Sequence, residues 1–240
     1  MNHSQPAGPI GPIGPVLVSS RTIEEYRAHF VLTDAELTAG PILDCPGGAS
    51  EFGAAVRAAG GSCTSVDPRY TMAADDLARI VDDEHERVVE WIARQPDRFR
   101  FDADGTWERA TPWRRAADTF LADYRRDRAA GTGHYLAATL PELPFEDRRF
   151  ALVVSGFLLF TYADLFDEEF HTAAVLELVR VCSGEVRLHP LNDTRGRRYP
   201  HLPALLDTLR ARGVGVRLCP VRSTILPNDD RTLILTVSGA

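Results

Sequence analysis

From residue 41 onward, short apolar runs alternate with stretches whose apolar positions recur every three or four residues. Residues 42–45, 61–67, 134–140, 150–155, 185–189, 214–218 and 232–237 read as strands, with helices over 50–59, 167–181 and 202–212 between them. That alternation predicts an α/β fold with seven strands in one sheet. An earlier helix is predicted over 21–30, where Thr22 precedes Glu24 and Glu25 in the first turn.

Two stretches depart from this rhythm. Residues of about 70–133 are charged, helical in period and carry Trp91, Trp107 and Trp113. The stretch is too long for a simple crossover and is expected to be an inserted helical cap. Residues 1–15 are rich in proline and glycine, so a flexible tail is expected through residue 19, with 20–240 as one α/β domain.

Composition narrows the chemistry. With 240 residues, 44% of them hydrophobic, the chain can bury one sizeable core. A net charge of −7 offers no broad footprint for phosphate backbones, so a small-molecule substrate is expected and no nucleic acid. The chain contains no lysine, which removes Schiff-base chemistry and the phosphate-loop lysine. Cys45, Cys63, Cys182 and Cys219 are widely spaced, which suggests neither a zinc knuckle nor a disulfide framework. No apolar run approaches membrane-spanning length and no charged leader precedes an apolar segment, so the expectation is a cytoplasmic protein, monomer or homodimer, with no membrane partner. The acidic run Asp82 to Glu86 points in several directions around a helix and is read as solvated surface, so no metal is expected.

The string ILDCPGGAS, from Ile42 to Ser50, lies where a strand turns sharply into a helix. Gly47 and Gly48 allow the backbone to approach a ligand, and the following helix is expected to offer free N–H groups. Pro46 stands where a dinucleotide fingerprint has its first glycine, and the third glycine is missing, which disfavours NAD and FAD. Asp44 at the strand tip would repel a pyrophosphate but suits an ammonium. In SVDP, Asp67 ends the next strand roughly twenty residues further on and is positioned for ribose hydroxyls, with Pro68 beside it.

These residues make the chain resemble the class I S-adenosylmethionine (SAM)-dependent methyltransferase superfamily. Asp44, Pro46, Gly48 and Ser50 fall on the defined positions of that family's D-x-G-x-G-x-G. LPELPFEDRRFALVVS, from Leu140 to Ser155, is similar to its adenine-side segment and fourth strand, although Thr139 stands where the family usually has an acid. The resemblance implies a Rossmann-like, seven-stranded, mostly parallel sheet with helices on both faces and SAM as cofactor. It implies SAM contacts from Asp44, Pro46, Gly47, Gly48, Asp67, Pro68, Thr139, Leu140, Ser155, Gly156 and Tyr26. Tyr26 and Tyr70 are expected to close as a lid.

Beyond the fourth strand, SGFLLFTYADLFD sets Phe157, Phe160 and Tyr162 beside the expected sulfonium, where aromatic faces attract a cation and exclude water. LHPLND places His189, Asn192 and Asp193 after the fifth strand, with His189 or Tyr162 as candidate acid–base groups. Tyr162, His189, Asn192 and Phe160 are therefore the candidate catalytic residues. The C-P-G-G spelling is similar to RNA ribose methyltransferases, but those use a lysine, and the N-P-P-Y loop of amino-group methyltransferases is absent. The leading expectation is methyl transfer to a small molecule, in the manner of secondary metabolism. A second reading resembles the azetidine-2-carboxylate synthase-like branch, in which the SAM amine attacks its own γ-carbon and methylthioadenosine leaves. A third is a non-catalytic SAM-binding protein.

Overall fold

The computed structural model describes residues 13–222 and 229–237. Helix α1 (Ile23–Phe30) starts on a capping box. The Thr22 hydroxyl accepts from Glu25 N–H at 3.2 Å, and Glu25 Oε2 accepts from Thr22 N–H at 2.9 Å. Then follow β1 (Pro41–Asp44), α2 (Phe52–Ala58) and β2 (Ser62–Val66), the βαβ unit expected from the sequence. The long α3 (Ala74–Ala93) and α4 (Ala110–Ala130) come next. β3 (Tyr135–Leu136), β4 (Phe150–Gly156), α5 (Glu168–Arg180), β5 (Cys182–His189), α6 (Leu202–Ala211), β6 (Gly215–Pro220) and β7 (Arg231–Thr236) complete the chain.

The seven strands form one sheet in the order β3-β2-β1-β4-β5-β7-β6. All pairings are parallel except those of β7, which runs antiparallel to both β5 and β6. This is the Rossmann-like, mostly parallel sheet that the resemblance implies.

Alternation along each strand sends neighbouring residues to opposite faces. Leu43, Val153 and Val186 pack against α5 and α6, while Ile42, Cys63, Leu152 and Val154 pack against α1 and α2. Both faces are thus covered, which is why these strands read as apolar runs. β3 is shorter than expected. After Leu136 the chain leaves the ladder and turns through a Thr139–Glu142 bridge, carrying Thr139 and Leu140 toward the end of the sheet.

The insert has two parts. Leu77 and Val81 of α3 and Ala117, Phe120 and Tyr124 of α4 join Tyr70 and Tyr135 in a buried cluster, so this half belongs to the main body. Arg57 of α2 pairs with Asp123 of α4, whose Oδ2 also accepts from the Tyr135 hydroxyl at 2.8 Å, which ties the insert down. Only the distal half, with Val88, Ile92, Phe99, Trp107 and Trp113, forms a separate cap cluster.

The first segment differs most from expectation. Residues 1–12 lie outside the described residues, but from Ile13 the chain packs as an ordered strap rather than a flexible tail. Val18 is buried in the cluster of Tyr70 and Phe120, and Ile13 and Leu17 lie against the cap. The Arg87 guanidinium donates to the Ile13 carbonyl at 2.8 Å. Among the described residues, no helix is long and apolar enough to cross a membrane, and no three His, Cys, Asp or Glu side chains cluster as a metal site.

Candidate functional site

In an open parallel sheet, ligands bind beyond the strand C-termini where the connections diverge to opposite sides. Here that point lies between β1, which leads to β2, and β4, which leads to β5. A cavity of about 270 Å³ opens there. Its lining includes Pro46, Gly47 and Gly48 after β1, Asp67 and Pro68 after β2, Thr139 and Leu140 after β3, Gly156 at the end of β4, and Tyr26 on α1. The strap residues Val16 to Ser19 close one side.

Asp44 and Ser155 are buried one layer behind this lining. Asp44 Oδ1 accepts from the Tyr26 hydroxyl at 2.9 Å, and Tyr26 is itself stacked on Phe52 with centroids 4.3 Å apart. No hydrogen bond of good geometry reaches Oδ2, although the Ser65 hydroxyl lies close enough to favour the carboxylate. Burial pushes the Asp44 carboxyl up to about 8, with the negative charge of Asp67 adding to the effect and the Tyr26 bond opposing it. Asp67 is also raised by burial, while its Oδ1 accepts from Arg69 N–H at 2.9 Å.

The bend itself does not leave its amides free. Gly47 N–H donates to the Val66 carbonyl, Ala49 N–H to Ser19, Ser50 N–H to Gly47 and Glu51 N–H to Arg21. Phe52 N–H donates to the Ser50 hydroxyl, and Gly48 N–H interacts with the Asp67 carboxylate. The strap thus consumes donors that a phosphate would need. Gly48 holds φ at +53°, and a Cβ there would lie 3.0 Å from the Ser19 carbonyl.

The structure separates the candidate catalytic residues. Phe160 is not in the cavity wall; it packs in the main core, stacked on His171 and tilted against Tyr199. Tyr162 lines a smaller cavity under the cap, its hydroxyl accepting from Leu17 N–H at 3.0 Å. Asn192 is buried outside both cavities, bridged to Arg198 and near enough to Asp229 to oppose the burial that raises that carboxyl to about 7. Asp193 turns its carboxylate onto Arg195 N–H and Arg197 N–H. Tyr70 is a fixed post rather than a lid. It is fully buried and donates to the Gly48 carbonyl at 2.8 Å.

His189 also stands behind the wall, stacked on His29, with ring centroids 4.5 Å apart. The Thr232 hydroxyl donates to the His29 carbonyl and so accepts from His189 Nδ1 at 3.1 Å, leaving a bare lone pair on Nε2. Burial lowers His189 to about 3 and holds His29 well below the usual range, so both rings are neutral. His29 lines the cavity, as do Arg21, Phe30, Phe157, Phe166 and Phe170. Most of these escaped the sequence reading. The one signal for His29 was the stripe Tyr26, His29, Phe30 at helical spacing on α1.

Strand order and the position of this cavity define the class of fold: a Rossmann-like α/β protein with a cavity at the β1/β4 switch point. No family model matches the chain. It is 26% identical over 199 residues to the uncharacterized protein MJ0045 of Methanocaldococcus jannaschii, covering 80% of this chain and 85% of that one. Among solved structures, it is similar to the magnesium protoporphyrin IX methyltransferase of Synechocystis PCC 6803 with bound SAH. The likeness is at 14% identity and a TM-score of 0.46, covering 89% of this chain and 80% of that one. It is similar to a TehB-like SAM-dependent methyltransferase of Corynebacterium glutamicum at 12% identity and a TM-score of 0.41, covering 86% and 87%.

Proposed function

We propose that the cavity binds S-adenosylmethionine and that the chain transfers its methyl group to a small molecule. One observation carries this reading: two buried acidic side chains, Asp44 and Asp67, flank the glycine bend, while the bend's own amides are already bonded. Such a site suits a nucleoside bearing positive charge and disfavours a phosphate ester. The residues fit that ligand. In this reading Asp67 takes the ribose hydroxyls, Leu140 and Phe170 offer apolar surface for a purine, and Asp44, which burial keeps protonated near neutral pH, gives up that proton to meet the ligand's positive charge behind Tyr26 and Gly47.

When bound, SAM supplies an electrophilic methyl group; the acceptor lone pair takes it, and the S–CH3 electron pair returns to sulfur. The chain's contribution is alignment and dryness. Phe157 and the strap exclude competing water, and Tyr26 holds Asp44 in place.

A second reading is favoured by the apolar wall of Phe30, Phe157 and Phe170, against which the aminobutyrate chain of SAM can fold. In it the neutral SAM amine, its ammonium proton lost to solvent, closes on the γ-carbon, the C–S electron pair goes to sulfur, and azetidine-2-carboxylate and methylthioadenosine separate. Calorimetry against SAM, S-adenosylhomocysteine, NAD, FAD and ATP tests the shared premise, which requires the first two alone to bind tightly. Incubation with SAM alone then separates the readings. Methylthioadenosine indicates cyclisation, whereas turnover to S-adenosylhomocysteine only with an acceptor present supports methyl transfer.

A further inference from the structure

Beneath the cap lies a smaller cavity of about 50 Å³ that shares Leu17, Ser19, Arg21 and Phe157 with the first. Its far wall is apolar, formed by Val88, Trp91 and Ile92 of α3, by Phe99 and by Trp113 of α4. Two polar atoms are buried in its lining residues without hydrogen-bond partners, Arg21 Nε and Thr161 Oγ1. Unmet polar groups at an aromatic cavity are what a ligand with a polar end would satisfy.

Arg21 is held so that one edge of its guanidinium is left. The Trp113 and Phe157 rings each lie 4.0 Å from its central carbon, and Nη1 donates to the Ser20 carbonyl at 2.7 Å. The Glu25 charge is near enough to favour the guanidinium, but its oxygens accept from Trp113 Nε1 and Thr22 N–H and make no ion-pair contact with Arg21. A stacked, planar fork with a bare Nε edge matches the geometry of a carboxylate. Burial lowers Arg21 to about 10 despite the opposing charge of Glu25, a cost that a directly bonded anion would relieve further.

We propose that the second cavity is the acceptor site and takes a small aromatic carboxylic acid, with its ring against Trp91 and Ile92 and its carboxylate on the Nε edge of Arg21. The strap at Ile13 and Leu17 is the wall that yields to admit the ring. The assignment rests on the first cavity being the SAM site, since that makes the second the acceptor side. The amino-acid end of SAM carries the same chemistry, so the test separates the two sources.

Tryptophan fluorescence of the full chain, saturated with S-adenosylhomocysteine, is titrated with phenylacetate and with phenylacetamide. The acid is expected to bind at least about tenfold more tightly than the amide, as a charge-assisted bidentate contact requires. That gap collapses in Arg21→Gln. Val88→Phe, which fills the cavity, weakens the acid while leaving S-adenosylhomocysteine binding unchanged by calorimetry; it carries the test if Arg21→Gln does not fold. Equal affinity for acid and amide, or a gap that survives Arg21→Gln, overturns the proposal. So does an Arg21→Gln variant that keeps the gap but loses S-adenosylhomocysteine while retaining methylthioadenosine, which assigns Arg21 to the carboxylate of SAM. If the parent protein fails to bind S-adenosylhomocysteine at all, the first-cavity reading has failed. The acid–amide comparison without that ligand then decides the second cavity by the same criteria.

Discussion

The Tyr26 hydroxyl donates to Asp44 Oδ1 at 2.9 Å, joining the helix before the sheet to the tip of its first strand. This bond lets a carboxylate exist where burial disfavours it. Above pH 8, where Asp44 is ionised, Tyr26→Phe removes a charge-assisted bond worth about 1.5–3 kcal/mol. The expected result is S-adenosylhomocysteine binding weakened roughly tenfold or more, measured by calorimetry at about pH 9. Unchanged affinity would mean that the pair serves the fold alone.

The Asp44 carboxyl sits at about 8 in the folded chain, against about 3.9 in an unfolded one. Between those values the folded state holds the extra proton, so this group makes stability fall as pH rises from about 4 to about 8. Asp44→Asn removes the ionisation. Its Tm is expected to exceed that of the parent by several degrees at pH 8 and to converge with it near pH 4, while affinity for the sulfonium ligand is lost. Scanning calorimetry across pH checks this, and parallel melting curves would contradict it.

Asp67 gives Oδ1 to Arg69 N–H and lines the cavity. Asp67→Asn keeps an oxygen for that turn and removes the charge. Wild-type protein is expected to bind S-adenosylhomocysteine about tenfold more tightly than an analogue lacking the ribose hydroxyls, with much of that gap gone in the variant. A gap of equal size in both would place the ribose elsewhere.

Gly48→Ala puts a methyl group 3.0 Å from the Ser19 carbonyl at a backbone φ of +53°. A cost of about 1–3 kcal/mol is expected, concentrated on the strap. Limited proteolysis should show faster cleavage between residues 13 and 20, with little change at α5. Uniform loss of protection would assign the strain to the whole domain instead.

How much of this was legible before the structure depended on whether a residue's role followed from its neighbours in sequence. α5 was readable from Asp167, which caps it by accepting from Phe170 N–H, and from its apolar spacing. The glycine bend and Asp67 were readable because a strand tip fixes where its last residue goes. The strap was not. Val16 to Ser19 have no periodicity of their own, and their order comes from carbonyls spent on Ala49 and from packing against Tyr70. Phe160 and His189 were placed by proximity in sequence to the strand ends. The turn after β4 swings Phe160 into the core, and His189 lies behind His29, so adjacency along the chain did not become adjacency at the cavity. Arg21 read as part of a helix start, and nothing local announces that Trp113, far along the chain, will lie over it.

The carbonyls of Ser19 and Arg21 occupy two N–H groups of the bend below them. A phosphate ester reaching this bend would meet backbone donors that the polypeptide has already bonded. On the proposed function, selection against ATP and nicotinamide dinucleotides is therefore carried by the backbone and is expected to survive changes in the side chains around it.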